Sequence, residues 1–162
     1  MKLRMVLGLA FLGCLVFAAT VSAQLIDKKT LSLETAKQAA VAAEAEAAKN
    51  NWKVVIAVVD DGGNPLVVHR MDDAQIASIR IAIGKAETAA RFKRPTKALE
   101  DALAGGRNAI LALPGATPLE GAFPVVVDGK VVGAVGVSGA LSAQDAQCAK
   151  AGVDAVMKAL GR

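Results

Sequence analysis

The chain has 162 residues, 54% of them hydrophobic, with 19 basic and 15 acidic side chains and a formal net charge of +4. That is enough for one ordinary domain and its core. One His, one Trp and no Tyr limit the available chemistry, and so modest a charge gives little support to a nucleic-acid partner.

Lys2 and Arg4 precede an apolar run from Met5 to Phe17 and a small-residue end, Val21-Ser22-Ala23. A basic start, an apolar middle and such an end predict a secretory signal peptide over residues 1–23, cleaved after Ala23. The run is short for a membrane span, so no membrane association is expected after cleavage. The mature domain, residues 24–162, then keeps 17 basic and 15 acidic residues. A periplasmic or secreted location follows. Cys14 would leave with the leader, and Cys148 alone makes no internal disulfide; its alanine-rich setting reads as buried packing.

Thr30 or Ser32 is positioned to cap a helix running to about Asn50, with Ala36, Ala39, Ala40, Ala43 and Ala47 on one face. Lys53 to Asp60 reads as a central strand. Asp61 to Asn64 is a turn, and Pro65 to Met71 the return strand. A helix follows over about Ala77 to Phe92, with Ile76, Ile79, Ile83, Ala86 and Ala90 as its apolar stripe. Thr96 is read as the cap of a short helix, Lys97 to Ala104, which Gly105-Gly106 stops. Asn108 to Leu113 is either a short strand or a helical turn. Pro124 to Ser138 is a second hairpin about Asp128-Gly129, whose residues must both tolerate positive φ. Ser142 with Asp145 resembles a capping box opening a last helix to about Leu160. Hairpin-linked strands pair antiparallel, so the expected class is α+β, one antiparallel sheet of about five strands flanked by helices.

The glycines of Gly133 to Gly139 are spaced G-x-x-G-x-x-G. They lack the spacing and setting of a dinucleotide site, a P-loop or a nucleophile elbow. They read as points of close packing, or else as one wall of a pocket with N–H groups for an anion. His69 and Met71 share a strand face, with Arg70 opposite. Both are haem-iron ligands in other settings; the bland alternative is an exposed strand-end His and a core Met. Arg91, Lys93, Arg94 and Lys97 gather at a helix end, as partners of the helix dipole or as a clamp for carboxylates.

Several of these segments occur in one order: IAVVDDGGN from Ile56, HRMD from His69, IAIGKAETAA from Ile81, Arg94-Pro95-Thr96, and Gly121 to Asp145. In that order they resemble the GlcG/HbpS-like haem-binding family, also called haem-degrading domain proteins. The resemblance implies a profilin-like or PAS-like sheet flanked by helices, and a homo-oligomer. It implies haem binding in some exported members, with sensing, scavenging or degradation as roles. Two departures bear on the pocket mouth: the compact Gly105–Gly121 segment, and Ala122 where the family often has a second Gly. The leading expectation is an exported haem- or tetrapyrrole-binding protein. His69 is its axial ligand and metal donor, Met71 a second ligand, and Arg91 and Arg94 propionate partners. A second reading is an accessory protein or enzyme acting on a small hydroxy-acid metabolite, with Lys85 and Ser138 as catalytic candidates. A third is a structural oligomer without ligand.

Overall fold

The computed structural model describes residues 24–162; the expected leader lies outside the described residues. Helix α1 (Leu33–Lys49) leads into strands β1 (Val55–Asp60) and β2 (Pro65–Arg70). Helices α2 (Ser78–Phe92) and α3 (Lys97–Ala104) and a 3-10 helix (Asn108–Ala112) follow. Strands β3 (Ala122–Val127) and β4 (Lys130–Ser138) and helix α4 (Ser142–Ala159) complete the chain. The expected α+β class is found, with four strands in the order β2-β1-β4-β3, every neighbour antiparallel.

The local chemistry explains most element ends. The Ser32 hydroxyl accepts from the Thr35 N–H at 3.2 Å and caps α1. At the first hairpin, Asp60 Oδ1 accepts from the N–H groups of Gly62 and Asn64, both at 2.8 Å, so one carboxylate holds the turn. At the second, Asp128 and Gly129 have φ of 51° and 74°, as a two-residue hairpin with right-twisted strands requires.

The sheet separates two cores. On one face, Ile56, Val58, Val125, Val135 and Val137 pack beneath α1 and α4. On the other, Val55, Ala57, Val59 and Ala134 pack beneath α2. Alternation along β1 feeds both, which is why its apolar run is unbroken. All five alanines assigned to the packed face of α1 are fully buried. Cys148 is buried in the same layer, and burial first, then the charges of Asp145 and Glu46, push its thiol pKa up to about 12.

Four expectations need correction. The sheet has four strands rather than about five because Asn108–Ala112 is a 3-10 helix that buries only Ile110. Thr96 does not cap α3. Its hydroxyl accepts from the Ala122 N–H at 3.1 Å, tying the helix start to β3. The capping box of α4 is made by Gln144, whose Oε1 accepts from the Leu141 N–H, and Asp145 turns inward. The buried face of α2 keeps Ala86 and Ala90 of the expected stripe, but its centre is turned partly away from the isoleucines, of which Ile79 and Ile83 pack at its margin. Ala82, Lys85, Ala86 and Ala89 face the sheet, whereas Ile76 is 77% exposed and Ile79 and Ile83 are half-buried. The cause is the small-residue surface of β4. A Cβ at Gly136 would stand 2.6 Å from both the Ala82 carbonyl oxygen and the Ala86 nitrogen. The helix lies so close that only small side chains fit between the layers.

Candidate functional site

His69 lies on β2, an edge strand, opposite Ile56. Its side chain points to the α1 face, where Nδ1 meets Glu44 Oε2 at 2.9 Å. His69 is 33% exposed and Glu44 44%, so the pair is accessible. A carboxylate on one ring nitrogen fixes the ring and leaves Nε2 as the outward donor, the arrangement that backs most metal-binding histidines. Met71, just beyond the strand, is half-buried against the α1–α4 core. Its amide donates to the Val54 carbonyl, which extends the strand pairing by one residue.

The arginines expected to join this group lie elsewhere. Arg91 Nε donates to the Gly62 carbonyl in the β1–β2 turn at 3.1 Å, and its guanidinium lies 3.6 Å from Glu87. His69 lies four residue steps along β2 from Pro65, just after that turn, roughly 13 Å of strand. Arg91 also belongs to the helix on the other face of the sheet. Arg94 follows a left-handed Lys93 (φ 54°), and its Nε donates to the Phe92 carbonyl at 3.1 Å. One subunit therefore does not bring Arg91 or Arg94 to His69. Lys97 pairs with Asp101, so the basic knot is dispersed.

Lys85 and Ser138 sit deep at the C-terminal end of β4, where Ser138 lies level with Arg70 across β1 but on the α2 side of the sheet. Lys85 Nζ donates to Asp145 Oδ2 at 2.8 Å and to the Val137 carbonyl at 3.0 Å. Asp145 Oδ1 accepts from the Ala140 N–H at 3.0 Å. Burial pushes the Asp145 carboxyl above its ordinary value, against the hydrogen bond and charge of Lys85. Ser138 and Ser78 bond each other through their hydroxyls at 3.2 Å. Gly121, at φ 133°, lies over the pair; a Cβ there would stand 2.6 Å from Lys85 Nζ. These polar groups join α2, β4 and α4, and their bonds are directed at one another.

Glu44 and the Lys85–Asp145 pairing were missed in the sequence. Glu44 reads there as one of several glutamates on a polar helix face, and Asp145 as a helix-start residue. Their partners are 25 and 60 residues away, beyond any local pattern. Among the described residues no group of three or more His, Cys, Asp or Glu side chains is placed to hold a metal ion.

Fold and site define a small α+β domain with its single histidine, carboxylate-backed, near the end of an edge strand. The chain belongs to the family described as haem degrading protein HbpS-like, whose model matches residues 31–154. It is 49% identical over 111 residues to Protein GlcG of Escherichia coli K12, a match covering 68% of this chain and 83% of that protein. A crystal structure of a double mutant of Streptomyces reticuli HbpS is 39% identical, with a TM-score of 0.76, over 85% of this chain and 96% of that one. A crystal structure of a PduOC–heme complex is 29% identical, with a TM-score of 0.71, over 78% and 94% of the two chains.

Proposed function

We propose that this protein binds haem or a related tetrapyrrole, with His69 as the axial ligand. The observation that carries the proposal is the 2.9 Å contact of His69 Nδ1 with Glu44, which leaves Nε2 for iron. The family's description and the heme complex of a relative support the choice of group. The donor chemistry fits at His69, and Met71 is a second ligand on the same strand face. Arg91 and Arg94 do not fit the same group from within one subunit. When bound, haem would supply the iron's redox and oxygen chemistry; the chain's part is to present and orient the imidazole.

Export to the periplasm or beyond is part of the proposal, supported by the leader pattern at residues 1–23. So is homo-oligomerisation, supported by the open edge at β2. Sensing, scavenging and degradation are roles for a haem-loaded form. The hydroxy-acid reading is less well supported, because Lys85 and Ser138, 3% and 4% exposed, spend their polar atoms on each other's elements. Haemin titration of the purified protein tests the proposal, with His69→Ala alongside. A saturable Soret shift in the wild type, altered in the variant, is expected. No shift in the wild type overturns haem binding; an identical band in the variant overturns only His69 as ligand.

A further inference from the structure

A cavity of about 280 Å³ lies between the end of α2, α3 and the 3-10 helix. Phe92, Leu99, Ile110 and Leu113 give it apolar walls, and Arg94 and Arg107 are its two charged lining residues. No carboxylate lines it. Arg94 uses Nε on the Phe92 carbonyl; among the described residues its terminal nitrogens have no hydrogen-bond or ion-pair partner, and neither does the Arg107 side chain. The basic groups near the amino-terminal segment differ in this respect. Lys29 and Arg162 both meet Asp128, at 3.1 and 2.7 Å.

We propose that this cavity is a binding site for a small amphipathic monocarboxylate. Its short hydrocarbon body would fill the apolar space, and its carboxylate would be held by Arg94 and Arg107. Charge complementarity selects the head group: each guanidinium is a planar fork of N–H donors suited to a carboxylate, and no acidic side chain in the lining competes. Volume selects the body. Sites for drug-sized ligands span ~300–1,000 Å³, so a space just below that range suits a chain of a few carbons. The proposal is independent of haem binding at His69, which lies on the opposite face of the sheet.

Isothermal titration of the purified protein with hexanoate tests this, with hexan-1-ol and acetate as comparison probes. Saturable binding of hexanoate is expected. The alcohol, which lacks the charge, and acetate, which lacks the body, should each bind about tenfold more weakly or worse. Arg94→Gln and Arg107→Gln should each weaken hexanoate by about tenfold, the worth of one hydrogen bond to a charged group. Ala102→Leu, which fills the cavity from α3 without touching either arginine, should abolish binding while leaving the thermal midpoint within a few degrees. No saturable uptake by the wild type at millimolar hexanoate, or equal binding of hexan-1-ol, overturns the proposal. So does binding unchanged in both Gln variants. Haemin titration of Arg94→Gln reads the other site separately and should match the wild type.

Discussion

Lys85 Nζ and Asp145 Oδ2 meet at 2.8 Å with both side chains 3% exposed, a charge pair closed inside the protein between α2 and the start of α4. Each partner has further bonds, Lys85 to the Val137 carbonyl and Asp145 to the Ala140 amide. Those bonds matter as much as the pairing, since Coulombic attraction alone rarely repays the dehydration of two ions.

Removing one partner should therefore be costly. Lys85→Met leaves a buried carboxyl without its cation, and about 3–5 kcal/mol of stability should be lost. Asp145→Leu should cost a similar amount. Joining the two substitutions should recover much of either loss, because the surviving ion is the main penalty. Chemical denaturation of all four proteins gives the coupling energy. Additive losses would show that the two side chains do not act as a pair.

The same pair gives a pH signature with a definite sign. Burial already raises the Asp145 carboxyl above its ordinary value of 3.8, and losing Lys85 raises it further. In Lys85→Met the folded state then binds a proton more readily than the unfolded state. Its stability should fall as pH rises from the unfolded carboxyl range through the folded pKa. Urea midpoints of Lys85→Met relative to wild type should be closest at about pH 4 and furthest apart at about pH 8. A gap that does not change with pH refutes this account.

Asp60 behaves in the opposite sense. Partial burial opposes its ionisation, but the N–H groups of Asn64 and Gly62 and the Asn64 amide outweigh it, and the carboxyl is held below 3.8. A lowered pKa contributes stability that is complete above 3.8 and lost as pH falls through the folded value. Asp60→Asn should cost about 1 kcal/mol near neutrality, the low end for a charged acceptor because the turn is open to solvent. The difference from wild type should shrink as pH falls from 3.8 through the lower folded value, a convergence that thermal melts across the acid range would reveal.

How much of this was legible in the sequence differs between elements for physical reasons. The hairpins, α1 and α4 were readable because Asp-Gly, the alanine period and the Ser32 cap act locally. The α2 face was only partly legible: Ala86 and Ala90 are buried as the helical spacing implies, while the turning of the isoleucines toward its margin is set by Gly136 on another element. Asn108–Ala112 was ambiguous for a related reason. A five-residue apolar run has no period long enough to separate strand from turn, and only its packing decides. At the candidate site His69 was legible as the lone imidazole beside a core strand. Its partner Glu44 was not, since nothing in the helix distinguishes that glutamate until β2 is laid against it. Arg94 was legible only as part of a basic group at a helix end, and the cavity beside it is built from three separate segments.

Gly136 tests the close approach directly. Its added Cβ would strike backbone atoms of α2, which cannot swing aside as a side chain could. Gly136→Ala should cost at least the ~1–3 kcal/mol typical of overpacking. Gly129, at φ 74° with nothing within 4 Å, carries only a conformational demand. Gly129→Ala should lose roughly 1–2 kcal/mol from the left-handed backbone alone. Solvent denaturation separates the two: Gly136→Ala should be the less stable variant, and the reverse order would place the contact between α2 and β4 elsewhere.

Glu44 offers the finest probe of the haem proposal, because its effect passes through His69. Glu44→Gln keeps the size of the side chain and a carbonyl oxygen for Nδ1 but removes the charge. The imidazole stays oriented and becomes a weaker donor. Loss of such a supporting carboxylate typically costs 10–100-fold in metal affinity, so haemin affinity should fall by roughly that factor. His69→Ala should shift the Soret band itself. A purely structural Glu44 would lower the thermal midpoint of the unliganded protein without changing haemin affinity. The pair is accessible to solvent, so the unliganded midpoint should move little, and the change should appear in the haemin titration. Equal haemin affinity in Glu44→Gln and wild type would show that the carboxylate does not support an iron ligand.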